Sequence, residues 1–319
     1  MNFSKEIKQE IFSKRLPHEC CKKAYLAGFI RATGSIIKNS EGYGFEFSSE
    51  NDGAIEYFTY LFKEVYGYEI NLATKEKDKL NNQDRKTYEF AGEKALYVLD
   101  DLDIFKKTGK SYDVNINLDG ELLSAECCKK AFIKGLFVGS GACTLPNRSD
   151  GKEKSYTGYH LEFIFSNYLA GEEFGRFLAE IGIFPKIASR KNNYILYIKS
   201  SEEIKDFLAY IGLSKSVIKI TNLIVEKEVF NNINRQTNCD IGNIGRQQTA
   251  TEKQIKAIKT IDEIIGLNSL PSALSDVAVM RLSHSEDSLT ELADKLGITK
   301  SCLNHRLRKI TEIAKNLSE

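Results

Sequence analysis

The spacing of hydrophobic positions predicts the same order of elements twice within the first two thirds of the chain. Residues 43–49 and 159–165 are aromatic, partly alternating segments of the kind that forms strands. Each leads through an asparagine, Asn51 or Asn167, into an amphipathic helical segment. Further strand-like and then helical segments follow at 85–93 and 93–105 in the first round and at 191–200 and 201–212 in the second. This order predicts two copies of one unit of mixed helices and strands.

Residue identities support the same duplication. Residues 20–36 read CCKKAYLAGFIRATGSI and residues 127–143 read CCKKAFIKGLFVGSGAC, so the first five positions are identical at an offset of 107 residues. This period is too long for a solenoid repeat, and it indicates two copies of a small domain related by a pseudo-two-fold axis.

Each copy carries small residues at a spacing of four, which predicts a helix with a strip of little side-chain bulk. The strips consist of Ala24, Gly28 and Ala32 in one copy and of Ala131, Gly135 and Gly139 in the other. Two such strips allow two helix backbones to approach closely; the alternative is a pair of ordinary core helices. Gly34 and Gly141 follow the helices where a left-handed C-terminal residue is expected.

The C-terminal region shows two short helical patterns separated by a glycine. Within residues 288–310, the apolar positions are Leu289, Leu292, Ala293 and Leu296, followed by Leu303, Leu307 and Ile310. Gly297 permits a left-handed turn between them, Ile298 fills the angle, and Thr299 is placed to cap the second helix. The pattern predicts a helix-turn-helix, and the helical segments 251–266 and 271–284 complete a bundle.

The second helix of this pair carries polar and basic side chains opposite its apolar face. The predicted DNA-contacting residues are Lys300, Ser301, Asn304, His305, Arg306, Arg308 and Lys309. No acidic residue lies between Thr299 and Ile310. Arginine reads guanine and asparagine reads adenine in the major groove, while flanking basic residues bind phosphates. The alternative is a solvated basic face on a small helical bundle.

The nonapeptides LAGFIRATG (26–34) and IKGLFVGSG (133–141) resemble the LAGLIDADG motif of homing endonucleases. The resemblance implies an α+β fold, a duplicated αββαββα saddle, here followed by an all-α helix-turn-helix domain. In active relatives the eighth motif position is a metal-binding carboxylate, but it is Thr33 and Ser140 in this chain. The sixth positions, Arg31 and Val138, supply no substitute. Because a hydroxyl cannot replace a carboxylate as a Mg²⁺ anchor, we expect no catalytic residue, no metal site and no nuclease activity.

A degenerate LAGLIDADG repeat followed by a helix-turn-helix resembles the bacterial WhiA family of DNA-binding regulators. Segments similar to that family's signatures are 1–14, 20–35, 237–243 and 300–310. The resemblance implies a cytoplasmic, nucleoid-associated transcription regulator that binds double-stranded DNA without a cofactor. It links the chain to sporulation in actinobacteria and to cell division or chromosome segregation in other Gram-positive bacteria.

Domain boundaries follow from these elements. The predicted division is 1–110 and 111–213 for the two LAGLIDADG-like halves, 214–250 for a helix and linker, and 251–319 for the helix-turn-helix domain. The linker prediction rests on residues 234–250, which are rich in Asn, Gln and Gly and are typical of a linker or an ordered cap.

Composition narrows the function only slightly. The 319 residues are 42% hydrophobic, enough for two or three domains with ordinary cores, and no apolar run approaches membrane-spanning length. Seven cysteines include two adjacent pairs but no CxxC spacing, which argues against a zinc site and against a secreted disulfide scaffold. We expect free thiols packed at the starts of the motif helices, with a redox role as the alternative.

A net charge of +1 does not by itself indicate nucleic-acid binding, so such binding depends on local charge. The loops around 75–86 and 186–191 are basic, but the first also contains acidic residues, which leaves DNA contact and a solvated loop as equal alternatives. We therefore expect a non-enzymatic, sequence-specific DNA-binding regulator. The alternative is an interaction or sensory module, with a sigma factor or another regulator as its partner and DNA binding secondary.

Overall fold

The computed structural model describes residues 2–40, 42–77, 84–109, 111–146 and 158–318 of the chain. Contacts divide the chain into two compact units, residues 1–225 and 226–319. Each unit has its own hydrophobic cluster. Across the described ranges, no helix is long and apolar enough to cross a membrane.

The first half of the larger unit has the predicted αββαββα order, preceded by one further helix. Its elements are α1 (Phe3–Phe12), α2 (Glu19–Thr33), β1 (Gly34–Asn39), β2 (Gly42–Ser49), α3 (Asp52–Tyr66), β3 (Asn71–Lys77), β4 (Asp84–Ala91) and α4 (Glu93–Asp101). Asn51, which precedes the predicted helical segment, caps α3, with its side-chain oxygen 3.3 Å from the backbone nitrogen of Ala54. A two-stranded hairpin of β5 (Phe105–Thr108) and β6 (Ser111–Val114) follows.

The second half repeats the same order after a short 3₁₀ turn at Glu121–Leu123. Its elements are α5 (Glu126–Ser140), β7 (Gly141–Thr144), β8 (His160–Phe165), α6 (Tyr168–Glu180), β9 (Lys186–Arg190), β10 (Asn193–Ile198) and α7 (Ser201–Tyr210). Asn167 caps α6 through its side-chain oxygen, 2.8 Å from the backbone nitrogen of Leu169. The duplication predicted from the sequence is therefore confirmed.

The two sheets have equivalent topology and register. Their strand orders are β1-β2-β4-β3 and β7-β8-β10-β9, and all neighbouring strands are antiparallel. Gly34 pairs with Phe47 in the first sheet, and Gly141 pairs with Phe163 in the second, so both sheets begin directly at the ends of the motif helices. Alternation along β2 and β8 buries one aromatic face against the helices and leaves the other face accessible.

Helices α2 and α5 pack directly against each other through the small-residue strips. A Cβ built on Gly28 would overlap the carbonyl oxygen of Phe132 and would lie 3.1 Å from the backbone nitrogen of Leu136. A Cβ on Gly139 would lie 2.6 Å from the Cβ of Ala32. The prediction of closely approaching backbones is confirmed.

Two local predictions about the motif helices and their surroundings are wrong. Gly34 and Gly141 are extended, with φ of −79° and −82°, and are not left-handed. Glycine is required at both positions for steric reasons. A Cβ on Gly34 would lie 2.5 Å from the carbonyl oxygen of Ile30, and a Cβ on Gly141 would lie 2.7 Å from that of Phe137. The helix predicted over 93–105 ends at Asp101, since Asp103 has a φ of 56° and the chain turns into β5.

Residues 234–250, for which the sequence predicts a linker or cap, are helical. They lie within α8 (Ser214–Ile264), and the division between the two compact units also falls inside this helix. A helix satisfies every interior backbone donor and acceptor locally, so a polar segment needs no tertiary contact to remain hydrogen-bonded. Gly242 and Gly245 lie in open or nearly open surroundings there.

The smaller unit is all-α, with α9 (Ser272–Ser283), α10 (Leu289–Lys295) and α11 (Lys300–Ser318) following a 3₁₀ turn at Leu267–Ser269. Its core contains residues from α8, α9, α10 and α11, among them Ile258, Val277, Leu292 and Leu307. The helix-turn-helix predicted from the sequence therefore forms as an element of a small helical bundle.

Candidate nucleic-acid interface

The turn between α10 and α11 has the chemistry that the sequence predicts. Gly297 is left-handed, with a φ of 62°, and its open surroundings show that backbone conformation, not crowding, requires glycine there. The side-chain oxygen of Thr299 accepts a hydrogen bond from the backbone nitrogen of Cys302 at 3.2 Å, which caps α11. Ile298 is partly buried against the core of the unit. These contacts fix where the polar face of α11 begins.

The predicted contact residues lie on the face of α11 opposite its core residues. Leu303, Leu307 and Ile310 are buried. Asn304 and Arg306 are half-buried, and the exposed residues are Lys300, Ser301, His305, Arg308 and Lys309. The helix thus brings all seven predicted residues onto one side of the bundle or its edge.

Arg306 differs from its neighbours because its guanidinium also contacts the protein. Its Nη1 donates to the carbonyl oxygen of Ala273 at 3.4 Å, close to the start of α9. This long, exposed hydrogen bond links α11 to the start of α9. Arg306 is therefore placed to orient the polar face as well as to add positive charge to it.

Acidic side chains next to the turn are used in local contacts. Ser288 and Glu291 form a reciprocal capping box at the start of α10, with distances of 3.3 Å and 2.8 Å. Asp287 pairs with Lys295 at 2.6 Å. Hydrogen bonds from Ser288 hold the pKa of Glu291 below its usual range, and the Lys295 ammonium does the same for Asp287. These two carboxylates are therefore used in local contacts, while Asp294 in α10 is an exposed acidic residue close to the turn.

Arg281 is a buried structural position to which the sequence analysis assigns no role. Its side chain is only 1% exposed. It donates to the Gln254 Oε1 at 3.0 Å, to the Thr251 Oγ1 at 2.6 Å and to the carbonyl oxygen of Asp287 at 2.6 Å. The guanidinium thus connects α8, α9 and the segment that precedes α10. Its spacing from Leu274, Val277 and Ala278 on the apolar face of α9 is the sequence signal that indicated burial.

The C-terminal ends of the two motif helices carry hydroxyls that bond back to their own helices. Thr33 Oγ1 donates to the carbonyl oxygen of Phe29 at 2.9 Å, and Ser140 Oγ donates to that of Leu136 at 3.4 Å. Both bonds are of the i to i−4 kind, so the two hydroxyl protons point into the helices. The chemistry of this pair offers a divalent cation neither charge nor a second oxygen.

The guanidinium of Arg31, at the sixth motif position, is hydrogen-bonded to the segment that connects the two halves. The guanidinium donates to the carbonyl oxygens of Asn115 and Asp103, both at 2.7 Å. Burial lowers the pKa of Arg31 to about 10, against the opposing effect of the Asp103 carboxylate. Val138, at the equivalent position of the second motif, is buried. Neither residue supplies the missing carboxylates.

The accessible faces of the two sheets carry glutamates at equivalent positions. Glu46 in β2 precedes Phe47, which pairs with Gly34 at the start of the first sheet. Glu162 in β8 likewise precedes Phe163, which pairs with Gly141 at the start of the second sheet. Glu89 in β4 is paired directly with Glu46. Carboxylates on these faces repel phosphates. The basic residues Lys186, Arg190 and Lys191 are exposed near the edge of the second sheet, while residues 78–83 of the other charged loop lie outside the described residues.

The fold and the site define a protein in which a duplicated LAGLIDADG-like region precedes a helix-turn-helix domain. Three family models match the chain: the WhiA N-terminal LAGLIDADG-like domain over residues 19–105, the WhiA LAGLIDADG-like domain over 129–230, and the WhiA C-terminal HTH domain over 233–314. The chain therefore belongs to the WhiA family.

Similar whole proteins support this assignment over the full length. The chain is 33% identical to the probable cell division protein WhiA of Caldicellulosiruptor saccharolyticus, over 99% of this chain and 96% of that protein. It is 31% identical to the probable cell division protein WhiA of Oceanobacillus iheyensis, over 99% and 98% of the two chains. The crystal structure of full-length WhiA from Thermatoga maritima is similar with a TM-score of 0.59 and 27% identity, over 99% of each chain.

Proposed function

We propose that this chain is a non-enzymatic transcription regulator that recognises a specific sequence in double-stranded DNA. The observation that carries the proposal is the accessible polar face of α11, which lies opposite three buried core residues and lacks acidic side chains through residue 310. A helix of this kind fits the major groove with its first turns against base edges.

Two side chains of this face supply base recognition in the proposal. Arg308 is exposed and can donate two hydrogen bonds to a guanine. Asn304, one turn earlier, can pair with the edge of an adenine through one donor and one acceptor. The half-buried position of Asn304 restricts its side chain, which favours selection of one base over adaptable contact.

The remaining residues of the face position the helix on the DNA backbone in this proposal. Lys300 and Lys309 lie at its edges and bind phosphates, and Ser301 at the start of the helix donates a hydrogen bond to a phosphate or a base edge. His305 extends the exposed face, and Arg306 orients the helix through Ala273 while it adds charge.

The motif helices support a structural and not a catalytic role for the LAGLIDADG-like region. The Thr33 and Ser140 hydroxyls bond back to their helices, and Arg31 is held by backbone carbonyls. Two-metal cleavage of a phosphodiester needs carboxylates to hold the ions. In this proposal the region is a duplicated scaffold, and function depends on surfaces other than the former catalytic centre.

The biological process is proposed from the relatives. Two of them are named probable cell division proteins, and both match nearly the whole chain. We therefore propose that the regulated genes act in cell division, and the family resemblance of the sequence adds chromosome segregation and sporulation as further candidate processes. On this proposal the protein works in the cytoplasm at the nucleoid.

A second candidate function is favoured by the glutamates on the accessible sheet faces. Glu46 and Glu89 lie side by side on the first sheet, and Glu162 occupies the equivalent position to Glu46 on the second. The paired glutamates of the first sheet are better suited to a basic protein surface than to DNA, whereas Lys186 and Arg190 share the accessible face of the second sheet with Glu162. A sigma factor or another regulator would be the partner, with DNA binding supplied by the smaller unit alone.

The deciding experiment compares full-length protein with residues 225–319 on a binding site selected from random DNA. If α11 is the reader and the larger unit does not touch DNA, both proteins protect the same base pairs with similar affinity. A longer footprint for the full chain assigns DNA contacts to the larger unit. Failure of the full chain to select any sequence would contradict the proposed function.

A further inference from the structure

The starts of the two motif helices bring four cysteines together. Cys20 and Cys21 lie in the first turn of α2, and Cys127 and Cys128 lie in the first turn of α5. The sulfur atoms of Cys20, Cys21 and Cys128 all lie within 4.8 Å of one another. Among the described residues, this is the group of His, Cys, Asp and Glu side chains that the fold places close enough to hold a metal ion.

The fourth thiol, Cys127, precedes Cys128 in sequence and is the repeat equivalent of Cys20. Its sulfur is not part of the group within 4.8 Å, so it completes a four-ligand site only by a change of its side-chain rotamer. Cys21 and Cys128 are buried, whereas Cys20 and Cys127 are exposed, so the group has a protected base and an open side.

We propose that Cys20, Cys21, Cys127 and Cys128 form a tetrahedral site for a thiophilic divalent metal ion of the zinc class. Zinc binds thiolates at about 2.3 Å, which places the sulfurs of a tetrahedral site about 3.8 Å apart. The sulfurs of Cys20, Cys21 and Cys128, which already lie within 4.8 Å of one another, need move by only about 1 Å to reach that spacing, and Cys127 turns in as the fourth ligand. Oxygen-preferring ions such as Mg²⁺ do not select thiolates.

The surroundings of the cluster suit the thiolate form that a metal requires. Both cysteine pairs lie at helix N-termini, where the backbone amides favour negative charge.

Binding of the metal ion releases protons and changes the charge of the site. Each of the four thiols releases one proton to solvent and contributes one negative charge, and the divalent ion leaves the site with a net charge of −2. Lysines follow both cysteine pairs in sequence and supply positive charge near the site. The ion would connect the first turns of the two halves across the pseudo-two-fold axis.

The spacing of the cysteines in the sequence argued against zinc, because it contains no CxxC pair. Two pairs separated by 107 residues form one site only after the two motif helices have packed. The site lies in the larger unit and is independent of the proposed DNA contacts on α11, so each can fail without the other.

The test uses reduced, metal-free, full-length protein titrated with Co²⁺, a visible-light probe of tetrahedral thiolate coordination. We expect absorption bands that saturate at one ion per chain and disappear when Zn²⁺ displaces cobalt. The exposed variants Cys20→Ser and Cys127→Ser should fold normally and lose the bands, and the wild-type protein should show a zinc-dependent rise in Tm that both variants lack. Cys239→Ser and Cys302→Ser, which alter thiols outside the cluster, should retain wild-type titrations.

Wild-type protein without cobalt bands, or bands that persist in Cys20→Ser and Cys127→Ser, would overturn the proposal. Mass spectrometry under non-reducing conditions separates the redox alternative. If the metal-free protein forms a disulfide between the two helices in air and the reduced protein binds no cobalt, the cluster is a redox-active cysteine pair and not a metal site.

Discussion

Gly28 and Gly135 are equivalent positions of the two motif helices, and each lies against the backbone of the other helix. A Cβ on Gly28 would overlap the carbonyl oxygen of Phe132, and a Cβ on Gly135 would overlap that of Tyr25. Tyr25 and Phe132 are themselves equivalent residues of the repeat. The closest approach in the larger unit therefore obeys the pseudo-two-fold symmetry and excludes any side chain at either glycine.

Gly28→Ala should destabilise the larger unit by about 1–3 kcal/mol, because the added methyl group separates the helices. Alanine normally stabilises a helix relative to glycine, so the expected sign is opposite to that of helix propensity. Gly245→Ala is the matched control, since its surroundings in α8 are open. Thermal unfolding should show a lower Tm for Gly28→Ala and an unchanged or higher Tm for Gly245→Ala. Equal Tm values would contradict the glycine contact.

Arg281→Ala should destabilise the smaller unit by about 1–3 kcal/mol, because it removes a buried guanidinium and leaves partly buried hydrogen-bonding groups of Thr251, Gln254 and Asp287 without their donor. Arg308→Ala serves as the control, because Arg308 is exposed and its removal leaves no buried partner. Urea unfolding of the two variants measures the difference. Wild-type stability in Arg281→Ala would mean that this network is not required for the bundle.

Acid should weaken the larger unit through Glu10. Burial raises the pKa of this carboxyl, but hydrogen bonds from the Ser216 side chain and from the backbone nitrogens of Lys215 and Ser216 outweigh burial and hold the pKa below 4.5. Because the folded pKa is depressed, this stabilisation is complete above pH 4.5 and is lost as the pH falls through the folded value.

Glu10→Gln provides the measurement for this pH effect. The free energy of unfolding of the variant should be lower than wild type at pH 7 and should fall less steeply below pH 4.5, because the variant has no carboxyl at this position to titrate. Chemical denaturation across this range compares the two slopes. Identical slopes would show that Glu10 does not contribute to acid unfolding.

Supercoiled plasmid incubated with the protein and Mg²⁺ or Mn²⁺ should remain uncut, because Thr33 and Ser140 supply no carboxylate to hold an ion. Thr33→Asp combined with Ser140→Asp should introduce Mn²⁺ binding at the helix ends, measurable by calorimetry, without cleavage. The two outcomes separate loss of metal ligands from loss of the rest of the catalytic machinery. Cleavage by wild-type protein that a motif substitution abolishes would contradict the non-enzymatic assignment.

The sequence predicts those parts of the molecule whose hydrophobic and polar residues follow a helical or strand spacing over a short segment. The helix and strand order of both halves, the Gly297 turn and the Thr299 cap all depend on neighbours within a few residues. The positions that the sequence did not predict depend on contacts formed only in the folded chain. Gly34 and Gly141 are fixed by crowding against the preceding helical turn, and no spacing rule distinguishes this requirement from a left-handed cap.

Arg281 and the cysteine pairs illustrate the same limit at the level of function. Arg281 occupies an apolar stripe of α9, but its partners lie 27 and 30 residues away on α8. The cysteine pairs are 107 residues apart, and only the packing of α2 against α5 brings them into contact. The α11 face, in contrast, could be predicted residue by residue because one helix carries all seven members. Their contact with DNA remains a prediction.

The central claim is that α11 reads DNA sequence. Arg308→Ala or Asn304→Ala should cost about 1–3 kcal/mol on a selected site and relax the preference at one base pair, because each removes a base-edge contact. Lys309→Ala should weaken all sequences about equally, because it removes a phosphate contact.

The most direct measurement is selection of binding sites from random double-stranded DNA by wild-type, Arg308→Ala, Asn304→Ala and Lys309→Ala proteins at one salt concentration. The account predicts one enriched sequence for wild type, loss of preference at different single positions for the Arg308 and Asn304 variants, and an unchanged sequence at lower affinity for the Lys309 variant. Unchanged affinity and base preference in both base-edge variants would contradict the assignment of α11 as the recognition helix.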